Sequence, residues 1–204
     1  MGRGARCGAR PDTPSAGDPV MVALVRPDML WLPAYRAALA QGWSPDNLRP
    51  AAAGELLAAS AADPADFLVG LDDPAPEGRT VTLPDGSRVP RLPSLSRWII
   101  ADGFVGQISL RWQPGGDALP PYVLGHIGYG VVPWARRRGH AGAALGLILP
   151  EARAQGLTRV ELTTEPDNIG SIRVIEKNGG RLVERFTRGP QYGQTPALRF
   201  VIAL

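Results

Sequence analysis

Three consecutive arginines, Arg136, Arg137 and Arg138, followed by Gly139, His140 and Ala141, are the residues of this sequence best suited to chemistry. They lie between an apolar run ending Val131-Val132-Pro133 and a small-residue segment that opens a helix. A loop of this make-up is an anion cradle. Small residues let the backbone approach a ligand, several free N–H groups converge at a helix N-terminus, and the positive end of the helix dipole favours a phosphate there. Guanidinium groups add charge-assisted contacts. On residue types alone, the triplet also suits a solvated loop or a basic nucleic-acid-binding module. Other phosphate motifs fail. There is no Gly-Lys pair for a Walker A loop, and Gly139-His140-Ala141-Gly142 does not match GxGxxG.

The remaining reactive side chains are few. With one cysteine, Cys7, the chain forms no internal disulfide and no multi-cysteine zinc site, and two histidines exclude HExxH chemistry. No metal is expected. His126 sits in a strand, and its unperturbed pKa near 6.5 would let it accept a proton at neutral pH. Strand alternation sets it opposite to Ile127, Tyr129 and Val131, so only a bulge among Gly125, Gly128 and Gly130 would turn it into the same cleft. Asn168 suits a helix N-cap, with Ser171 three residues on.

These residues need a scaffold, and hydrophobic periodicity supplies one. Strands are expected at Val20–Val25, Leu95–Ala101, Phe104–Trp112, Tyr122–Val132, Arg159–Thr164, Arg181–Arg188 and Ala197–Ala203. Asp102-Gly103 and Pro84-Asp85-Gly86 read as hairpin turns. Helices are expected from Asp28 to Ala40, Ala51 to Ala59, briefly after Asp63-Pro64, Arg137 to Gln155 and Asn168 to Lys177. Pro150 falls inside the fourth of these and should bend it near Gly146.

Composition narrows the class. The 204 residues are 44% hydrophobic and 20% charged, the profile of a globular chain of one domain. No run of 18 apolar residues marks a membrane span, so no membrane partner is expected. The net charge of +3 is weak support for nucleic acid as a partner, although every basic residue except Lys177 is arginine. Residues 1–20 are rich in Gly, Pro, Ala and Arg without any apolar period, and read as a disordered tail or non-native extension before a single domain at 21–204. A cytoplasmic location is expected, since the tail also lacks a signal-peptide core.

Val132-Pro133 with Arg136-x-x-Gly139-x-Ala141 resembles the acetyl-CoA pyrophosphate loop of the GNAT superfamily of N-acetyltransferases. One strand later, Asn168-Ile169-Gly170-Ser171 and Val174-Ile175-Glu176-Lys177-Asn178-Gly179 resemble that family's second motif, in its order and spacing. The resemblance is closer still to a subgroup of predicted acetyltransferases with a GHIGYGVRP-like strand, here Gly125–Pro133, and it covers about 22–204. It implies an α/β GNAT fold, a mixed, mainly antiparallel splayed sheet with helices on both faces. It also implies acetyl transfer from acetyl-CoA to a primary amine, small molecule or peptide, by direct attack. Val131 and Val132, Arg136 to Ala141, Asn168 and Ser171 would then bind the CoA arm, with main chain near Val131 donating to the thioester oxygen. Ile175 stands where the family commonly has a tyrosine that protonates the CoA thiolate. Another donor is needed, with Tyr192 as the candidate and His126 as the candidate base. A CoA-binding protein without catalysis stays open, as does a homodimer.

Overall fold

The computed structural model describes residues 21–204. The expected tail lies outside them.

Two sheets and a hairpin carry nine strands among the described residues. The first sheet has the order β1-β4-β5-β6, formed by Ala23–Val25, Ser94–Ala101, Gly103–Arg111 and Ile127–Val131. The second has the order β7-β9-β8, from Arg159–Thr164, Pro196–Ala203 and Arg181–Thr187. All of their pairings are antiparallel. Thr80–Thr82 and Arg88–Pro90 (β2 and β3) form a separate hairpin around Asp85, whose carboxylate accepts from Ser87 N at 2.9 Å and so fixes the turn. The helices are α1 (Leu32–Ala40), α2 (Ala52–Ala62), α3 (Pro64–Leu71), α4 (His140–Ala154) and α5 (Ile169–Lys177).

Helices cover both faces of the first sheet because strand alternation gives each face its own apolar set. On one face Trp98 stacks on Tyr35 of α1 at 4.9 Å, and Phe104 meets the same tyrosine edge-on at 5.7 Å. On the other, Arg97 pairs with Glu151 of α4 at 2.6 Å, beside the fully buried Ile99 and Ile108. Leu145, Ile148 and Ala152 supply the buried stripe of α4 at helical spacing.

Several boundaries differ from expectation: α1, anticipated from Asp28, begins at Leu32, and α2, anticipated to end at Ala59, runs to Ala62. The strand anticipated at Tyr122–Val132 begins only at Ile127, because Tyr122 to Leu124 lie beyond the ladder with β5, whose last strand residue is Arg111. The helix anticipated from Arg137 begins at His140, because Arg137 (φ 62°) and Gly139 (φ 85°) are left-handed and cannot join a helical turn. Within the described residues β1 is shorter too, starting at Ala23. Helix α4 runs unbroken through Pro150.

Candidate functional site

The site begins where the two sheets part. His126 N donates to Glu161 O of β7 at 2.7 Å, and Glu161 N donates back to His126 Nδ1 at 2.9 Å. Beyond this clasp β6 pairs with β5 alone, and β7 pairs with β9. The bonds Arg111 N to His126 O and Val132 N to Val105 O fix the phase of the β5–β6 ladder. Bonded pairs alternate with unbonded ones in an antiparallel ladder, so Tyr129 and Val131 direct their N–H groups away from β5. They face a cleft of about 830 Å³. The Tyr129 and Val131 carbonyls are already taken, by Asn47 Nδ2 at 3.0 Å and by Arg136 Nε at 3.1 Å.

At one end of the cleft lies the cradle. After Val132, fully buried, a turn over Pro133–Ala135 leads into Arg136 to Gly139 and then α4. The first bond into the helix is Ala143 N to Gly139 O, and no side chain caps this end. The N–H groups of His140, Ala141 and Gly142 are therefore free for a ligand. A Cβ at Gly142 would meet nothing within 4 Å, which leaves open space above those donors. Arg136 and Arg137 line the cleft, whereas Arg138 is exposed and lies outside its lining. His140 lines it with its ring buried, and desolvation and Arg138 push its pKa down.

The opposite wall is α5. Asn168 caps it by accepting from Ser171 N at 3.0 Å. Ser171 Oγ in turn lies 2.7 Å from the Tyr129 hydroxyl, which reaches across from β6. Burial raises the Tyr129 pKa, and the hydrogen bond to Ser171 works against that rise. Ser171 is four residues before the buried Ile175, hence on the same helix face one turn earlier. A hydroxyl pair thus stands close to where the family's usual tyrosine is missing. Sequence reasoning assigned Tyr129 no role; its alternation with Val131 was the available signal. Asn178 Nδ2 donates to Gly142 O at 3.2 Å and ties the end of α5 to the start of α4.

Two expected catalytic residues need revision. The β5–β6 register has no bulge, so nothing turns His126 towards the thioester side, and the ring is fully buried and absent from the cleft lining. Its Nδ1 lone pair is used by Glu161 N, which leaves the proton on Nε2, where no partner is found. Such a ring has no free site to take a proton, and burial lowers its pKa further. His126 joins the sheets instead. Tyr192 does line the cleft, but its hydroxyl donates to Tyr122 O at 2.6 Å, and burial raises its pKa. The structure brings it beside Arg111 rather than to the Tyr129–Ser171 pair.

A splayed sheet with a strand-loop-helix anion cradle at the split and outward strand amides above it defines an α/β fold with an anion-binding cleft. The acetyltransferase (GNAT) domain family matches residues 47–181, and the chain belongs to it. It is an acetyltransferase of the GNAT type. No curated protein matches the sequence significantly. Among solved structures, RimJ of Mycobacterium smegmatis in complex with a CoA disulfide is similar at 21% identity and TM-score 0.59, covering 89% of this chain and 81% of that one. The microcin C7 self-immunity acetyltransferase MccE, in complex with acetyl-CoA and AMP, is similar at 12% identity and TM-score 0.58, covering 90% and 92%. RimL, a ribosomal α-N-protein acetyltransferase in complex with coenzyme A, is similar at 15% identity and TM-score 0.58, covering 91% and 97%. At these identities the likeness is one of fold. No helix among the described residues is long and apolar enough to cross a membrane.

Proposed function

We propose that this protein transfers the acetyl group of acetyl-CoA to a primary amine by direct attack, in the cytoplasm. The observation that carries the reading is the Val131 N–H, left unpaired by the β5–β6 ladder and facing the split beside the cradle. The free N–H groups at the start of α4, with Arg136 and Arg137, bind the pyrophosphate. The Val131 amide donates to the thioester oxygen and stabilises the negative charge that develops there. The amine nitrogen forms a bond to the acetyl carbon, the carbon–sulfur bond breaks, and the thiolate leaves. The Ser171 hydroxyl, backed by Tyr129, protonates that thiolate, which answers the absence of a tyrosine at Ile175. The acceptor amine is protonated near neutrality, so one proton departs through water in the cleft before attack. The second, shed by the nitrogen as the amide forms, passes through water and restores the proton that the Tyr129–Ser171 pair gives to the thiolate.

Calorimetry with acetyl-CoA, followed by a screen of amines that monitors CoA release, tests this. Stoichiometric binding and release of CoA with at least one amine class are expected. Binding of acetyl-CoA with no release across amino acids, polyamines, peptides and aminoglycosides would return the chain to a binding protein.

A further inference from the structure

Four arginines line the part of the cleft outside the cradle, and their partners differ: the first, Arg49, pairs with Glu55 at 2.7 Å. Arg91 Nε lies 3.6 Å from the Asp73 carboxylate, and Arg91 Nη2 donates to Gly70 O at 2.6 Å. Arg188 pairs with Glu165 at 3.0 Å and also donates to Thr195 Oγ1. Arg111 has no carboxylate within ion-pair distance among the described residues; its side chain makes one hydrogen bond, a long one of 3.3 Å to Ser109 Oγ. Arg111 is half-buried and lines the cleft, and a guanidinium there without a paired carboxylate favours a ligand that supplies the counter-charge. Desolvation lowers the Arg111 pKa, while Tyr192 and Asp46 raise it and Arg91 lowers it further.

The sequence places this group deliberately on one sheet face. Gln107, Ser109 and Arg111 alternate along β5, and Ser94 and Ser96 of β4 are their register partners on the same face. Gly128 stands opposite Ser109, and a Cβ there would come within 3.6 Å of Arg111 Nη2. The guanidinium therefore lies over that rung, in ordinary contact range of such a Cβ. Val131 pairs with Gly106, three residues before Ser109, so the guanidinium is on the order of 10 Å along the strands from the Val131 amide. Gln107 lies between them, its Oε1 buried without a partner.

We infer that Arg111 is the specificity residue of the acceptor site and binds an anionic oxygen group, carboxylate or phosphate, carried by the acceptor a few bonds from its reactive amine. The inference rests on the acetyl-transfer reading for the amine, but not for the anion. Ser109, Ser96 and the Gln107 carboxamide are the neighbouring groups that complete the polar shelf.

Calorimetry on the CoA-bound protein separates the two. The ligands are N-acetylated ω-amino acids of two to six carbons, the matching N-acetylated aminoalkyl phosphates, and the neutral amides of the former. At least one anionic series should bind tighter than the amides by about 10- to 100-fold, the worth of a charge-assisted contact, and which series does so names the source. Arg111→Gln should abolish that preference, and Arg111→Lys should keep part of it. Equal binding of anions and amides, no binding of either anion, or an unchanged preference in Arg111→Gln would overturn the inference. The wild-type comparison stands even if a variant fails to fold. CoA release with the parent amines distinguishes the two readings. Anion binding without release would defeat the acetyl-transfer reading and keep the anion site; release from neutral amines alone would do the reverse.

Discussion

Glu161 donates its backbone N–H to the imidazole of His126 at 2.9 Å, while the backbone of His126 donates to Glu161 O at 2.7 Å. This two-point clasp sets the vertex from which β6 and β7 diverge, so the width of the cleft depends on it. His126→Ala removes the acceptor of a part-buried N–H and should cost about 1–3 kcal/mol, with cavity relaxation adding to it. Measured on the folded fraction, kcat should stay within about tenfold of wild type, since no general base is lost, whereas loss of one costs roughly 10²–10⁴.

The same burial makes stability depend on pH. Both His126 and His140 have pKa values held below their ordinary value near 6.5, desolvation being the main cause. The unfolded chain therefore binds more protons than the folded one as pH falls through 6.5, and stability rises with pH there. Their contribution is complete above that value and is lost progressively below it. Melting curves from pH 7.5 to 5 should show a falling Tm in wild type and a shallower slope in His126→Ala. A slope that the substitution leaves unaltered would remove His126 from this account.

What could be read from the sequence follows how local each feature is. The cradle, Arg136 to Ala141, is one continuous stretch whose residue types declare a helix N-terminus, and the helices and hairpin turns are likewise short-range. The Asp102-Gly103 hairpin falls where β4 and β5 join. By contrast, Tyr129 meets Ser171 across 42 residues and His126 meets Glu161 across 35. Those meetings depend on how far β6 follows β5 before leaving β7, which no local pattern encodes. The status of Arg111 depends on a missing carboxylate, and only the packed structure shows which arginines found one. Arg137 illustrates a different limit: a non-glycine residue at φ 62° is invisible in a loop that otherwise reads as the first turn of a helix.

Ser171→Ala and Tyr129→Phe test the thiolate's proton donor. If the pair acts as one relay, each should lower kcat by about 10²-fold, and the double variant should lose little more than either single one. The affinity for acetyl-CoA should be nearly constant in Tyr129→Phe, because the thiolate exists only after carbon–sulfur cleavage, and a loss confined to Ser171→Ala would show that Ser171 also contacts the CoA arm. Calorimetry beside steady-state kinetics reads both. Full kcat in both variants would assign protonation to water.

Gly106 is a position where backbone meets backbone. A Cβ there would lie 2.2 Å from Gly130 O and 3.0 Å from the Val131 Cα. Neither neighbour can rotate aside, since both belong to β6. Gly106→Ala should therefore destabilise by about 3 kcal/mol, the upper end for overpacking, and should disturb the Val131 amide as well. Urea unfolding with acetyl-CoA calorimetry checks it, and a loss below about 1 kcal/mol would show that β6 can shift outward freely.

Arg137 joins binding to strain. Its left-handed backbone costs about 1 kcal/mol or more in a non-glycine residue, and it lies in the loop that leads to the free N–H groups of α4. Arg137→Gly relieves that strain, offset in part by the added freedom of glycine in the unfolded chain. The net change should be a gain of a few tenths to about 1 kcal/mol in stability. Arg137→Ala keeps the strain and should leave stability unchanged. Both remove a guanidinium that lines the cradle, so both should weaken acetyl-CoA binding by about 10- to 100-fold. Arg136→Ala should weaken it further than either, because Arg136 also fixes the carbonyl of Val131. Arg138→Ala, at a side chain outside the cleft lining, should change affinity by the smallest factor, and only through screened long-range charge. Melting and calorimetry on the four variants give the ordering directly. An Arg138 effect larger than those of Arg136 and Arg137 would mean that the loop rearranges around the pyrophosphate, with the exposed arginine folding inward.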